Sequence, residues 1–237
     1  PAGPFLTTGA FVLLDLGILL IIWVFRLHTA TFQGLTMKAF SDLRPFLRLA
    51  VPGIFMTCLE WWGFEVITLL SSRISRTDLA TQSVLFNSNN FLFTLPLGLS
   101  VATAVRLGQF LGMASPSHAN RTVWVAVATV AGVMLTLAAI QLIARHDWGR
   151  IFTSDPDVIQ HVSDLLPVVC LFEILDGIVS VGGGVLRGCG MQRFGAKING
   201  VAYWIVGLPL AYVLAFVADL GLFGLWYGMA AALSVQA

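Results

Sequence analysis

The stretch LRLAVPGIFMTCLEWWGFEV, Leu47 to Val66, holds twenty residues that are mostly apolar, yet it carries Glu60 near its centre and Glu65 beyond it. About 20 apolar residues are what a helix needs to cross about 30 Å of hydrocarbon. The run is therefore read as a membrane-spanning helix, Phe46 to Leu70, and the rest of the chain follows the same rhythm. Further apolar runs bounded by charge extend over Gly3 to Phe25, Leu79 to Val105, Thr122 to Ile143, Val158 to Leu186 and Gly195 to Ala218, and a seventh starts near Leu220. With 57% hydrophobic and 11% charged residues over 237 positions, one soluble core could not hide the apolar surface. The fold class is all-α, a polytopic transmembrane helix bundle of six to seven spans.

Composition also excludes several partners. A formal net charge of +1, with no basic run interleaved with aromatics, argues against nucleic acid. Cys58, Cys170 and Cys189 are odd in number and widely spaced, so neither a disulfide framework nor a metal site is expected, and they are read as small packing residues. No enzyme signature of the HExxH, GxSxG or GxxxxGK[ST] kind is present, and Gly182, Gly183 and Gly184 read as a close helix contact. The chain opens at Pro1 and closes at Ala237 within apolar runs, so it is expected to be cut from a longer protein.

Sidedness follows from the basic residues of alternate loops. One set holds Arg26, Lys38, Arg44, Arg48, Arg106, Arg121, Arg187, Arg193 and Lys197; the other holds Arg73, Arg76, Arg145 and Arg150, diluted by Asp78, Asp147, Asp155 and Asp157. Cytoplasmic loops retain positive charge, so the first set is expected inside and Ala144 to Asp157 outside. Pro52, Pro96, Pro167 and Pro209 fall within spans, where a missing N–H kinks a helix, which suggests helices bent around a cavity.

Acids inside the spans are costly, at least about 2.5 to 3.5 kcal/mol each at mid-bilayer. Glu60 lies near the centre of the second span, Glu173 and Asp176 near that of the fifth, and Asp15 at that of the first. Glu65, five residues past Glu60, falls on another face and serves either a mouth or a helix contact. Glu173 and Asp176 are three apart and share one face, where they cannot both stay ionised cheaply and are expected to hold one proton or cation between them. Ser83, Asn87, Asn90 and Thr94 recur along one face of the third span, as a cavity wall or as interhelical hydrogen bonds. Trp61 beside Glu60 would receive an organic cation through its ring face, whereas Trp62 is assigned to lipid. The substrate cavity is expected at Trp61, Asn87, Asn90 and Tyr203, with proton or cation binding at Glu60, Glu65, Glu173 and Asp176. No metal site is expected.

The segment around EWWGFE resembles the seventh helix of eukaryotic multidrug and toxic compound extrusion (MATE) transporters. QSVLFN with LPLGLSVATAVRLGQFLG (Gln82 to Gly112), IFTSDPDVI (Ile151 to Ile159) and GGGVLRGCGMQRFGAKIN (Gly182 to Asn199) resemble, in order, the eighth helix, an outer loop and the junction of helices ten and eleven. The resemblance implies the C-terminal lobe of a twelve-helix, two-lobe antiporter. Residues 1–44 would be the last helix of the N-terminal lobe plus a cytoplasmic linker, and 45–237 the six-helix C-terminal lobe, truncated in its last helix. It also implies secondary active, proton-coupled export of organic cations, drugs or other metabolites, with carboxylates of helices seven and ten in coupling. These match Glu60, Glu65, Glu173 and Asp176. The sequence departs from many animal members at Asn87, where they carry a glutamate; Asp15 matches no motif of the family. The expected partners are a small-molecule organic cation or metabolite, the lipid bilayer and the N-terminal lobe of the same chain. No cofactor is expected beyond a proton as coupling ion, with sodium possible, and the expected location is the plasma or vacuolar membrane. A lipid-linked sugar flippase of the same superfamily is the alternative, as is a receptor or channel; the acidic interior argues against the flippase.

Overall fold

The computed structural model describes residues 2–26, 41 and 43–236, residues 2–8 by backbone alone, and the expectation for Lys38 lies outside them. The described residues form helices joined by short turns, and the chain divides into Pro1–Phe46 and Leu47–Ala237. The first unit holds α1, Ala2–Val24, an apolar helix on which Asp15 is exposed, and the first turn of the helix that follows.

The second unit is a bundle. Its spans are α2 (Leu43–Ser71, entered from the first unit), α3 (Arg76–Gly112), α4 (Pro116–Ile143) and α6 (Pro156–Gly188). A composite span, Gln192–Val217, consists of α7 (Gln192–Asn199), a π-helical stretch Gly200–Gly207, α8 (Leu208–Tyr212) and a second π stretch Val213–Val217; α9 (Gly221–Gln236) closes the bundle. Five of these are long and apolar enough to cross a membrane, and the bundle is a polytopic membrane fold. α2, α3 and α6 continue through Pro52, Pro96 and Pro167. The irregular turns instead flank Pro209, where Leu208 N–H reaches back five residues to Tyr203 O.

Two boundaries differ from the sequence reading. The sequence reading ends the third span at Val105 and places Arg106 in a loop, but the Arg106 guanidinium sits 5.2 Å over the Phe110 ring and Leu107 is buried, so the helix runs on to Gly112. The segment Ala144 to Asp157, read as a loop, begins with a short α5 (Arg145–Trp148) that folds back on the bundle. Trp148 Nε1 donates to Ser88 Oγ at 2.9 Å, and His146 Nδ1 meets Ser163 Oγ at 3.0 Å.

Small residues set the helix spacing. A Cβ on Gly184 would strike the Ser100 backbone, and one on Gly188 would lie 2.8 Å from Ala104 O, so α3 and α6 run parallel in near-backbone contact. A second seam joins α9 to the composite span. Gly224, Gly228 and Ala232 step by four along α9 and face Ala215, Ala211 and Gly207 in descending order, an antiparallel ladder with no room for larger side chains. Phe172 and Trp226, edge to face at 5.3 Å, fill the centre between α6 and α9. At the end of α6 the chain reverses at Gly190, whose φ of +72° is a conformation glycine takes without strain, and Met191 N–H closes the helix on Leu186 O at 2.8 Å.

Candidate functional site

A cavity of about 540 Å³ opens between α2, α3, α4, α6, α7 and the end of α9, within the range usual for small-molecule sites. Its walls are mostly apolar (Leu97, Val127, Ile178, Phe194), and its polar groups are few: Thr57, Glu60, Ser180, Arg187, Asn199 and Gln236. A recess of about 10 Å³ continues from it, bounded by Glu60, Trp61, Phe86, Asn89, Asn90 and Asp176. That is near the smallest volume that holds one water. Glu60 and Trp61 line both spaces, so the carboxylate stands at the threshold between them with the indole beside it.

α2 is held there from the side. Asn199 Nδ2 donates to Met56 O at 2.7 Å and Trp204 Nε1 to Leu59 O at 3.0 Å, both in the turn that leads into Glu60. Residues five apart on an α-helix point about 140° from one another, since each step is about 100°. The π-helical stretch Gly200–Gly207 closes that gap and lets both side chains reach the same neighbour.

The two acids of α6 face different neighbours. Asp176, 3% exposed, looks into the recess toward Glu60. Glu173, 1% exposed, lies on the α4 side, where its Oε1 accepts from Gln141 Nε2 at 3.3 Å and its Oε2 has no partner among the described residues. Gln141 Oε1 accepts in turn from Cys170 Sγ at 2.9 Å. Glu173 borders neither space.

The remaining sequence-predicted residues divide. Asn90 borders the recess; both indoles are exposed, Trp61 at 42% and Trp62 at 51%, but Trp61 lines the cavity and Trp62 lines neither space. Glu65 is exposed outside both spaces. Asn87 is exposed as well, and its Nδ2 donates to Ser83 O of its own helix at 2.8 Å. Tyr203, expected at the cavity wall, is fully buried with its ring over Gly63, because α2 and the composite span pack closely at that glycine. Cys189, expected to be a packing residue, is exposed just past the end of α6. Among the described residues no cluster of His, Cys, Asp and Glu has the geometry of a metal site.

Sequence reasoning missed Arg187, Asn89, Asn199 and Gln236. Arg187 reads in the sequence as a loop charge, but it lies within α6 on the cavity wall, where Nη2 donates to Ser100 Oγ at 2.7 Å and that hydroxyl donates to Ser180 O. Asn89 belongs to the buried stripe Gln82, Leu85, Asn89, Leu92, Pro96, Ser100, Thr103 and Leu107, whose spacings of three and four were legible.

With a membrane bundle and an acid-lined cavity on the page, comparison with known proteins is decisive. The sequence pattern of the family described as MatE matches residues 52–213. The chain belongs to the MatE family. It is 41% identical over 214 residues to human multidrug and toxin extrusion protein 2, covering 90% of this chain and 36% of that protein. An uncharacterized transporter of Schizosaccharomyces pombe is 37% identical over 219 residues, covering 92% of this chain and 41% of that protein. The chain thus spans about two fifths of the length of the curated relatives it matches. The crystal structure of the eukaryotic MATE transporter AtDTX14 superposes with a TM-score of 0.84 at 30% identity, over 92% of this chain and 51% of that one. An outward-facing MATE transporter of the MOP superfamily shares the fold at a TM-score of 0.74 and 16% identity. This MatE chain therefore holds its cavity and the acids beside it in a bundle built from its own residues.

Proposed function

We propose that the chain is the C-terminal lobe of a secondary active transporter that exports organic cations, drugs or other metabolites in exchange for protons. One observation carries this reading: Glu60, beside the Trp61 indole, lines both the cavity and the recess that holds Asp176. A solute cation in the cavity and a proton in the recess would then draw on the same carboxylate, and each ligand lowers the other's affinity by the same coupling energy. The name of the human relative, multidrug and toxin extrusion protein 2, supports an extrusion role. Sodium as coupling ion is the variant of this mechanism that the same acids allow. The N-terminal lobe of the full-length protein supplies the facing wall, and the protein works in the plasma or vacuolar membrane with the Gly112 and Gly188 ends of its helices toward the cytoplasm.

The test is uptake of radiolabelled tetraethylammonium into proteoliposomes of the full-length protein under an imposed pH gradient, lumen acid. Saturable uptake that collapses with a protonophore is expected, together with its loss in Glu60→Gln. Uptake indifferent to the pH gradient contradicts proton coupling; uptake driven by a sodium gradient instead points to the sodium variant.

A further inference from the structure

Glu60 and Arg187 are the two ionisable residues that line the larger cavity among the described residues. They come from different helices. Glu60 belongs to the middle of α2, whereas Arg187 is one residue from the end of α6. Arg187 is half-buried, and its guanidinium lies over Gly183, where an added Cβ would come within 3.7 Å of both Nη1 and Nη2. One nitrogen, Nη2, is tethered to Ser100 Oγ at 2.7 Å.

No carboxylate lies within 4.0 Å of Arg187 among the described residues. Its other N–H groups have no hydrogen-bond partner there either, and none of its nitrogens is buried without one, so they front the cavity space. An arginine presents five donors in a fork that matches a carboxylate in two parallel bonds. Glu60 acts on Arg187 through space without touching it, and an arriving anion that fills the free N–H groups gains a charge-assisted pair in a mostly apolar cavity. A simple cation does the reverse, since it meets Glu60 attractively while Arg187 repels it from across the same space.

We infer that Arg187 forms an anion subsite, and that the cavity takes zwitterionic aromatic solutes: a quaternary or protonated amine at Glu60 and Trp61, and a carboxylate on the Arg187 fork. This rests on the reading of Glu60 as the cation-binding acid and adds the second pole of the solute. The apolar wall between the poles, with Val127, Ile178 and Phe194, suits an aromatic body.

The experiment uses the full-length protein in phosphatidylcholine nanodiscs, so that no anionic lipid competes. Affinities are measured for two probes of one skeleton, phenyltrimethylammonium and 4-(trimethylammonio)benzoate. In the wild type the zwitterion binds more tightly than the cation. Arg187→Gln weakens the zwitterion about tenfold or more, the loss of a hydrogen-bonded charge, while the cation tightens because the opposing charge is gone. Arg187→Lys keeps the charge and most of the zwitterion preference. Equal weakening of both probes in Arg187→Gln, or a wild type that binds the zwitterion no better than the cation, overturns the subsite. Loss of the preference in Arg187→Lys as complete as in Arg187→Gln also contradicts it. The cation probe separately reports on Glu60: if Glu60→Gln leaves phenyltrimethylammonium binding intact, the reading of Glu60 fails, whereas the subsite is judged on the ratio of the two probes across the Arg187 variants.

Discussion

Asp176 and Glu173 stand three residues apart on one helix, and they inhabit different surroundings. Asp176 opens on a recess that it shares with Glu60, and Glu60 also lines a cavity large enough for a drug-sized solute. Glu173 is sealed between α6 and α4, bonded to Gln141 at 3.3 Å, with a buried thiol on the far side of the amide. Spacing alone cannot separate them, because residues three apart share a helix face. What separates them is which neighbour each side of that face meets: α2 tilts a carboxylate toward one, and α4 offers an amide to the other. An acid that exchanges its proton needs space beside it for a proton carrier, and Asp176 borders the recess whereas Glu173 borders neither space.

The comparison is broken most forcefully by removing the ionisable oxygen on each side. Glu60→Gln and Asp176→Asn are expected to reduce pH-driven solute uptake by the full-length protein to background while the protein remains in the membrane. Glu173→Gln, which keeps the shape and the contact with Gln141, is expected to retain measurable coupled uptake. If Glu173→Gln is as inactive as Glu60→Gln at equal membrane abundance, the sealed niche takes part in coupling and the distinction fails.

The second comparison is between the α9 seam and the exposed glycines. A side chain on Gly228 runs into the Ala211 backbone, whereas a Cβ on Gly98 meets nothing within 4 Å. Gly228→Leu is expected to destabilise the bundle by about 1–3 kcal/mol or more, the usual cost of overpacking, and Gly98→Ala to leave thermal unfolding in detergent nearly unchanged. Equal melting temperatures for the two variants would remove the seam from the account. A smaller effect is expected between the paired indoles. Trp61→Ala should weaken quaternary ammonium binding by roughly 1 to 2 kcal/mol, and Trp62→Ala should not, because only Trp61 lines the cavity. Competition with a labelled quaternary ammonium resolves the two.

Much of the bundle was legible in the sequence because hydrocarbon imposes a length on every span and a charge at every end. The helix from Leu43 to Ser71 contains the expected Phe46 to Leu70, and α6 contains the expected Val158 to Leu186. The acids Glu60 and Asp176 were legible because their solvation cost at such depth demands a reason. Arg187 was not, since a basic residue near a helix end is ordinarily a charge that stays in water, and only the fold of its side chain over Gly183 turns it inward. The third helix shows the same limit. Its sequence carries two polar stripes one step apart, one through Ser83, Asn87, Asn90 and Thr94 and one through Gln82, Asn89, Ser100 and Thr103, and helical periodicity rates both. Packing chooses the second: Trp226 Nε1 donates to Gln82 Oε1 at 3.0 Å, and Arg187 engages Ser100. Tyr203 was assigned to the cavity, but burial in the composite span follows from Gly63, whose missing side chain gives the ring its place.

Competition between proton and solute at Glu60 is tested most directly by proton release. Purified full-length protein in weakly buffered detergent solution, with a pH indicator, is titrated with phenyltrimethylammonium at a pH where it is proton-loaded. Saturable acidification that parallels solute binding, and that vanishes in Glu60→Gln, is the predicted result. Saturable binding of the solute to the wild type without release of protons would contradict the account.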